Sequence, residues 1–320
     1  MRAIAERGIW WDERPAGRYT HHRATDTPGR SVKLLCEGWG TVMTAPVFLE
    51  TRDAAQSYIT HSTVGLLDRS GPTVSSLGSS TYIKFGDVTG LLTCAHAVHE
   101  IQRRADHGLK EIGLAIFPTA EDSKQNATIP IEALNLLRIG DQPYTSTGPD
   151  IGFIVLPPSF AASFDARASV VDGHLQATRS RTAQPEMACV EIVAGVVAKW
   201  IKEHTPEPDI TRVRGIGATG KVLCQHDKEG FDTIEFAVEQ DQKIALPETY
   251  QGVSGGGIWR LFYEIDHLGQ IDVKERRLLG VAFYESYETP GLIIGHGPTT
   301  IYRHLPEKLL GITAGRQRGT

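Results

Sequence analysis

From about residue 61 onward, the chain alternates short apolar runs with clusters of Gly, Pro, Asp and Ser, roughly every ten residues. Runs such as Ile112 to Phe117 and Ile151 to Leu156 have the length of a strand and are short for a helix. Pro157 and Pro158 end the second run, because proline cannot donate a hydrogen bond to a sheet. This rhythm predicts an all-β chain of the sandwich or barrel type.

The same rhythm indicates how the chain is organised. We expect one β-barrel over residues 61–158 and a second over 186–311, because strand-like runs are frequent in both ranges. A connector rich in Ala, Ser, Arg and Gln separates them over 159–185, with 1–60 as an N-terminal extension and 312–320 as a tail. A chain of 320 residues is long enough to bury the cores of two such barrels without stabilisation by disulfides or metal ions.

Local patterns give sharper structural predictions. The segments Thr81–Phe85 and Val88–Thr93 flank a Gly-Asp pair that suits a chain reversal, so we expect a hairpin there. A short helix is expected from Pro158 to Arg167, and a terminal helix from Thr300 to Leu310, with Gly311 at its end.

Charge and hydropathy argue against several function classes. The formal net charge of -5 gives no global basic surface for a phosphate backbone, so nucleic acid is not expected as a partner. No apolar run approaches the ~20 residues that span a bilayer, and the N-terminus lacks the apolar segment of a secretory signal. We therefore expect a cytoplasmic protein without membrane partners.

The cysteines are widely scattered, at Cys36, Cys94, Cys189 and Cys224, and none has a Cys-x-x-Cys spacing. This pattern argues against both a disulfide framework and a zinc knuckle. We expect reduced and mostly buried thiols, in keeping with a cytoplasmic location.

Three local sequences carry residues suited to nucleophilic catalysis. His96 follows an apolar strand in Thr-Cys-Ala-His, Asp150 precedes the run Ile-Gly-Phe-Ile-Val-Leu, and Ser254 lies in the glycine-rich turn 252–257. A resting serine hydroxyl is too weak a nucleophile to cleave an amide at neutral pH, so it must be paired with a base that takes its proton. A histidine oriented by a carboxylate is such a base, so the three motifs complement one another.

Together these motifs resemble the trypsin-like (chymotrypsin-fold) serine peptidases, whose triad runs His, Asp, Ser along the chain. The resemblance covers roughly residues 60–310. It implies two antiparallel six-stranded Greek-key β-barrels with the active site between them and a short C-terminal helix. It further implies a serine endopeptidase with Ser254 as nucleophile, His96 as its base and Asp150 orienting the base, while the N–H groups of Gly252 and Ser254 form the oxyanion hole. Such an enzyme acts on protein or peptide substrates, and we expect neither a metal nor a cofactor.

The chain departs from the secreted members of that family in its activation chemistry. Val253 stands where secreted trypsins carry an Asp that pairs with a newly cut N-terminus, so that switch is missing. Tyr250 stands where a bridge-forming Cys is expected, and Cys94 precedes His96 instead of following it. We therefore expect a constitutively formed or partner-gated site, with residues 1–60 or a regulatory protein as the restraint.

The resemblance also suggests which residues select the substrate. Glu248 lies six residues before the nucleophile, beside Thr249, where the family places the floor of its primary pocket. A carboxylate there favours Arg or Lys before the cut. Phe283, Tyr284 and Glu285 are expected to pair with an extended peptide as an added strand, with Glu285 as a second acidic contact.

Other interpretations stay open at the level of sequence. A catalytically weak trypsin-like module for binding or signalling would keep the same residues. Gly-x-Ser-x-Gly also fits an α/β-hydrolase esterase, with Asp272 and His296 as acid and base, although a β-rich segment follows the serine where that fold needs a helix. A metal site at His96, His99 and Glu100 is disfavoured, because His-x-x-His-Glu does not match the zinc-protease helix.

Overall fold

The structure is a computed structural model that describes residues 58–71, 73–117, 126–139, 149–203, 215–228, 230–239 and 246–317, together with Ala55 and Val213. Within these residues the chain forms two sheets whose strands are antiparallel but for one short parallel pair, so the all-β prediction is confirmed. The predicted extension over residues 1–60 lies almost entirely outside the described residues.

The first sheet is built from the N-terminal half of the described chain. Its strands are β1 Thr63–Asp68, β2 Ser75–Phe85, β3 Val88–Thr93, β4 Glu111–Ile116, β5 Asn126–Pro130, β6 Asn135–Ile139, β7 Ile151–Val155 and β8 Val171–Asp172. Their order is β5-β4-β1-β2-β3-β7-β6, and β8 pairs with β2. Ile129 of β5 and Leu136 of β6 pack in the same hydrophobic cluster although they lie near opposite ends of this path, so the sheet curls on itself. It has eight strands where the resemblance implied six.

The second sheet closes into a barrel of six strands, as the resemblance implied. Its strands are β9 Ala188–Val196, β10 Gly215–Lys228, β11 Phe231–Val238, β12 Gly257–Ile265, β13 Ile271–Glu285 and β14 Leu292–His296. Their order is β10-β11-β14-β13-β12-β9, with β9 also paired to β10. Since β11 is bonded to β14 and not to β12, the next strand along the chain, the connection is of the Greek-key type.

Five α-helices surround the sheets in the described ranges: α1 Ala95–Asp106, α2 Pro158–Asp165, α3 Gly173–Arg181, α4 Ala198–Glu203 and α5 Leu305–Gln317. The predicted end of the terminal helix at Gly311 is wrong: a π-helical turn, Thr300–His304, leads into α5, which continues through the glycine. Gly311 is not among the glycines with positive φ, so it costs α5 only ~1 kcal/mol relative to Ala and does not end it. None of these helices is both long and apolar enough to cross a bilayer.

A shared hydrophobic cluster joins the two sheets. Leu92 and Phe153 of the first sheet, Trp259 of the second and Leu305 of α5 all belong to it, and none is exposed to solvent. Interiors packed in this way resist deformation, so loops that leave the facing strands are held at fixed positions relative to one another.

The cysteines follow the prediction in part. No disulfide joins Cys94, Cys189 and Cys224, the three that the structure describes. Cys94 is buried, but Cys189 is exposed and Cys224 is half-buried, so the expectation of mostly buried thiols is wrong for these residues. Cys189 lies in the first two residues of β9, which are exposed before the strand enters the barrel.

Candidate active site

His96 lies at the junction between β3 and α1. The strand ends at Thr93 and the helix begins at Ala95, so His96 is the second residue of the helix, with 8% of its surface exposed. Val98 and Ile101, three residues apart, pack on the core of the first sheet and give the segment its helical period. The strand rhythm alone did not predict α1, although the spacing of Val98 and Ile101 is typical of a helix.

Asp150 directly precedes β7, which is hydrogen-bonded to β3 with Thr93 opposite Gly152. This pairing brings Asp150 beside His96. Oδ1 of Asp150 accepts the main-chain N–H of His96 at 2.9 Å, and Oδ2 lies 2.6 Å from Nδ1 of its ring. Gly152 permits the close approach, because a Cβ there would lie 2.7 Å from the carbonyl oxygen of Cys94.

The protonation of this pair follows from its surroundings. Burial alone would raise the pKa of Asp150, but the charge and hydrogen bonds of His96 outweigh it and hold the pKa below its ordinary value. Asp150 is therefore ionised at neutral pH. A carboxylate at Nδ1 keeps the proton of the neutral imidazole there, so that Nε2 is the unprotonated, basic nitrogen.

His296, at the end of β14, supports Asp150 from another side. Its Nε2 accepts the main-chain N–H of Asp150 at 2.8 Å, and its Nδ1 lies 3.4 Å from the carbonyl oxygen of Asp232. The ring stacks on Phe283, with centroids 4.4 Å apart and planes inclined by 14°. Burial lowers the pKa of His296 against the opposing charge of Asp150, and a neutral ring is what the acceptor role of Nε2 requires.

From the sequence, His296 is expected only as the base in the α/β-hydrolase interpretation. A lone histidine at the end of a short apolar run is not distinguishable from an ordinary core histidine, so its true position gave no signal. The α/β-hydrolase interpretation is itself excluded, because the sheets are antiparallel and β12, not a helix, follows the loop of Ser254.

Ser254 lies in a tight loop that leads into β12. Gly252 and Gly255 flank it with φ of +94° and +90°, where a residue with a Cβ is strained. Gly255 is constrained a second time, since a Cβ there would lie 2.0 Å from the carbonyl oxygen of Ser79 and 2.2 Å from Oγ1 of Thr93. The glycines therefore allow the loop of Ser254 to lie directly against the first sheet.

The carbonyl oxygen of Ala282, in β13, connects the two motifs. It accepts the N–H of Gly255 at 2.7 Å and the thiol of Cys94 at 3.0 Å. Gly255 follows Ser254, and Cys94 precedes His96 by two residues, so residues from different sheets meet at one oxygen. Burial raises the pKa of the Cys94 thiol well above its ordinary value, which keeps it a protonated donor.

Ser79, fully buried in β2, makes a second connection between the sheets. Its hydroxyl donates to the carbonyl oxygen of Gly252 at 2.7 Å and accepts the N–H of Val196 at 2.8 Å. Its main-chain N–H donates to the carbonyl oxygen of Ser254 at 2.7 Å. The loop of Ser254 is thus anchored to the first sheet on both sides of Val253.

The N–H groups of Gly252 and Ser254 donate to no acceptor among the described residues. The carbonyl oxygen of Gln251 accepts the N–H of Ala198 at 2.8 Å, and the two polar groups of a trans peptide point in opposite directions, so the N–H of Gly252 faces away from Ala198. In the part of the chain that the structure describes, neither Gly252 N nor Ser254 N donates a hydrogen bond. Neighbouring peptide donors of this kind bind anionic oxygen.

A small cavity opens beside Ser254. It is lined by Tyr250, Val253, Ser254, Ala282, Tyr284, Glu285 and Ile293. Oε2 of Glu285 accepts the main-chain N–H of Tyr250 at 2.7 Å, which fixes the carboxylate in the cavity wall. The buried hydroxyl of Tyr250 has no hydrogen-bond partner among the described residues.

The residues predicted to bind substrate fall into two groups. Tyr284 and Glu285 line the cavity, and Phe283 accepts a hydrogen bond from the hydroxyl of Ser254 at 3.3 Å. Thr249 and Glu248 do not line it: the Glu248 side chain is 83% exposed and pairs with Lys199 at 2.8 Å, which lowers its pKa. The structure therefore does not place Glu248 at the floor of the pocket, because at this point of the loop Tyr250 is the residue that turns inward.

The ligand atoms of Cys94, His96 and Asp150 lie within 4.8 Å of one another, a spacing that also suits a metal ion. Their hydrogen bonds account for this spacing without one, since Asp150 holds Nδ1 of His96 and Ala282 holds the thiol. At the other motif that was weighed for a metal, Glu100 is buried and pairs with Arg103 and Arg104 of its own helix.

Comparisons with known proteins find similar solved structures but no similar sequences. No protein-family model and no curated protein matches it. It is similar to the Rv3671c protease from M. tuberculosis in its active form, with 14% identity, 82% of this chain and 86% of that chain covered, and a TM-score of 0.40. It is also similar to a Glu endopeptidase in complex with MPD, with 11% identity, 79% and 89% covered, and a TM-score of 0.42. A third similar structure is the serine endoprotease from Yersinia pestis, with 11% identity, 78% and 62% covered, and a TM-score of 0.40. At these identities and TM-scores, we infer the function of this chain from its own residues.

Proposed function

We propose that this chain is a serine endopeptidase in which Ser254 is the nucleophile, His96 the general base and Asp150 the residue that orients the base. The buried pair of His96 and Asp150 carries the proposal, because it is joined at Nδ1 and again through the main chain of His96. A histidine held in this way takes protons through Nε2. The shared acceptor on Ala282 supports Ser254 as its partner, since it holds both motifs on one strand.

In the proposed reaction, Oγ of Ser254 attacks the carbonyl carbon of a peptide bond while its proton passes to Nε2 of His96. The C–N bond then breaks, the amine leaves with that proton, and an ester remains on Ser254. Water attacks the ester, gives its proton to the same nitrogen, and releases the acid as the serine is restored. The hydrogen bond from Ser254 to Phe283 is long for O–H···O at 3.3 Å, so the hydroxyl exchanges it for Nε2 at little cost.

The N–H groups of Gly252 and Ser254 are the proposed oxyanion hole. Donors of this kind each stabilise the developing negative charge by roughly 3 kcal/mol. Ala198 holds the carbonyl before Gly252, and Ser79 holds the carbonyl oxygens of Gly252 and Ser254. The donors are therefore set before substrate arrives, and no reorganisation is needed when charge develops on the substrate oxygen.

The end of β13 offers an edge for an extended substrate. The pairing of β12 with β13 stops at Val281, whereas β13 continues to Glu285 and stays paired with β14 on its other side. Ala282, which follows Val281, is bonded on that side to Gly255 and Gly256. The edge offered to a peptide therefore begins at Phe283, whose carbonyl oxygen accepts the hydroxyl of Ser254. A peptide that adds to this edge as a strand brings its scissile bond to the nucleophile.

Glu285 is the carboxylate that supports a preference for Arg or Lys before the cut. It lines the cavity beside Ser254, and only Oε2 is engaged by Tyr250. A peptide library read out by mass spectrometry tests this preference. Glu285→Gln should lower cleavage after basic residues, whereas the exposed Glu248→Gln, the matched control, should leave the preference unchanged. Equal effects of the two variants would refute the role of Glu285 without affecting that of Ser254.

The experiment that tests the proposed function is labelling with a fluorophosphonate probe, followed by mapping of the modified peptide. Wild-type protein should be labelled at Ser254. Labelling should disappear in Ser254→Ala, fall sharply in His96→Ala, and persist in Ser286→Ala, a serine that follows the cavity residue Glu285. A folded wild-type protein that takes up no probe and cleaves no library peptide would refute the proposal and favour a module that binds peptides without cleaving them.

A further inference from the structure

The β10–β11 hairpin carries a second group of chemically reactive side chains. Cys224 and His226 are two residues apart on β10, so their side chains emerge on the same face. Glu235 on β11 lies directly opposite Cys224, and His226 lies opposite Thr233. A register shift between Val222 and Cys224 creates this pairing, since without it a different residue would face Glu235.

The distances within this group match those between ligands of one metal ion. Sγ of Cys224 lies 3.1 Å from Nε2 of His226, and the same nitrogen lies 3.3 Å from Oε1 of Glu235. All three ligand atoms lie within 4.8 Å of one another. Around a tetrahedral zinc ion with ordinary bond lengths, neighbouring ligand atoms are about 3.4 to 3.6 Å apart. Small side-chain movements therefore suffice to admit the ion.

We propose that Cys224, His226 and Glu235 bind a divalent cation of the zinc type, with water completing a tetrahedral shell. A thiolate, an imidazole and a carboxylate are the donor set that zinc accepts, whereas calcium and magnesium take oxygen ligands. Thiolate and carboxylate together balance the charge of the ion, and binding releases the thiol proton to solvent. The side chains of His226 and Glu235 are 57% and 33% exposed, so the ion and its water have access.

The proposed ion lies in the second barrel and is independent of the proposed peptidase chemistry. It joins β10 to β11, and β11 carries Asp232, which is bonded to Gln225 of β10 and to Thr300. The ion would therefore stabilise the pairing of β10 with β11. The three side chains also hydrogen-bond one another, and these bonds hold them close together without the ion.

Titration of the full chain with Co²⁺, under reducing conditions, tests the site. Binding at one equivalent should produce a thiolate-to-cobalt charge-transfer band and the visible spectrum of tetrahedral cobalt, and Zn²⁺ should displace it. The band should vanish in Cys224→Ser and persist in Cys189→Ser, the matched control with an exposed thiol. His226→Gln and Glu235→Gln should each weaken binding by at least about 10-fold, the loss expected even for an outer-shell partner.

Thermal unfolding gives a second readout. Zn²⁺ should raise the Tm of the wild type and of Cys189→Ser but not of Cys224→Ser, because only a folded site gains from the ion. A wild-type protein without saturable cobalt binding, or a charge-transfer band that survives in Cys224→Ser, would overturn the proposal. Neither outcome depends on labelling at Ser254, so the proposed metal site and the proposed peptidase function are tested independently.

Discussion

Replacement of Ser79 by Ala isolates the connection between the first sheet and the loop of Ser254. The substitution removes one hydroxyl that donates to the carbonyl oxygen of Gly252 and accepts the N–H of Val196. It keeps the main-chain bond from Ser79 to Ser254. The perturbation is therefore confined to one side chain that lies between two backbone groups.

The size of the effect follows from these two groups. Both lose their partner in a site where Ser79 is completely buried, and each unsatisfied buried group costs ~1–3 kcal/mol. The expected loss in the free energy of unfolding is therefore ~2–6 kcal/mol, a large share of the ~5–15 kcal/mol that stabilises a typical protein. The adjacent Ser80 is a matched control: it is equally buried, but its hydroxyl donates only to the carbonyl oxygen of Val64, at 3.0 Å. Ser80→Ala should cost ~1–3 kcal/mol.

Two measurements separate the variants. Urea unfolding should rank Ser79→Ala below Ser80→Ala in stability. The rate of fluorophosphonate labelling, measured where both variants are folded, should fall about 10-fold in Ser79→Ala, part of the 10²–10³ lost with a whole oxyanion donor. Labelling of Ser80→Ala should stay close to the wild-type rate. Equal stabilities and equal labelling rates for the two variants would refute the role assigned to Ser79.

Three further predictions concern the same site. Asp150→Asn should slow labelling of Ser254 on the order of 10⁴-fold with unchanged circular dichroism, because the amide no longer holds the required tautomer; a loss below 10-fold would contradict the orienting role. Gly255→Ala should abolish labelling and lower the Tm strongly, because its Cβ would lie 2.0 Å from the carbonyl oxygen of Ser79. The control is Gly269→Ala, at φ +80° with open space around it, which should cost only ~1 kcal/mol of backbone strain. The pKa of His296 is below its ordinary value, so the unfolded chain binds more protons and stability should fall as the pH drops below 6.5. His296→Gln, whose side-chain oxygen can accept the same N–H, should flatten this dependence in urea unfolding between pH 5 and 7; an unchanged slope would place its source elsewhere.

The strands and the three motifs of the proposed triad were predictable because their signals are local. Val88–Thr93 and Gly257–Ile265 are short apolar runs with a turn beside them, and both are strands with these bounds. Likewise, the run after Asp150 predicted β7, and the pairing of β7 with β3 then brings the carboxylate to the histidine.

The remaining features depend on tertiary structure. Glu248 and Tyr250 lie two residues apart in one loop, and nothing in the sequence says which of them turns into the cavity. His296 reaches Asp150 only because β14 is inserted between β11 and β13. The pairing of Cys224 with Glu235 depends on an irregularity of register that no pattern of hydropathy encodes.

The order in which the site is synthesised has a consequence for the cell. His96 and Asp150 lie beside strands β3 and β7 of the first sheet, whereas the bond from Ser79 to Gly252 spans 173 positions and the bond from Asp150 to His296 spans 146. At roughly 5–20 residues per second, translation leaves the first sheet without its partner loop for several seconds. During that interval a nascent chain has the proposed base but not the proposed nucleophile, and His296, which contacts Asp150, emerges after Ser254. The proposed triad is therefore complete only after most of the second barrel has been synthesised.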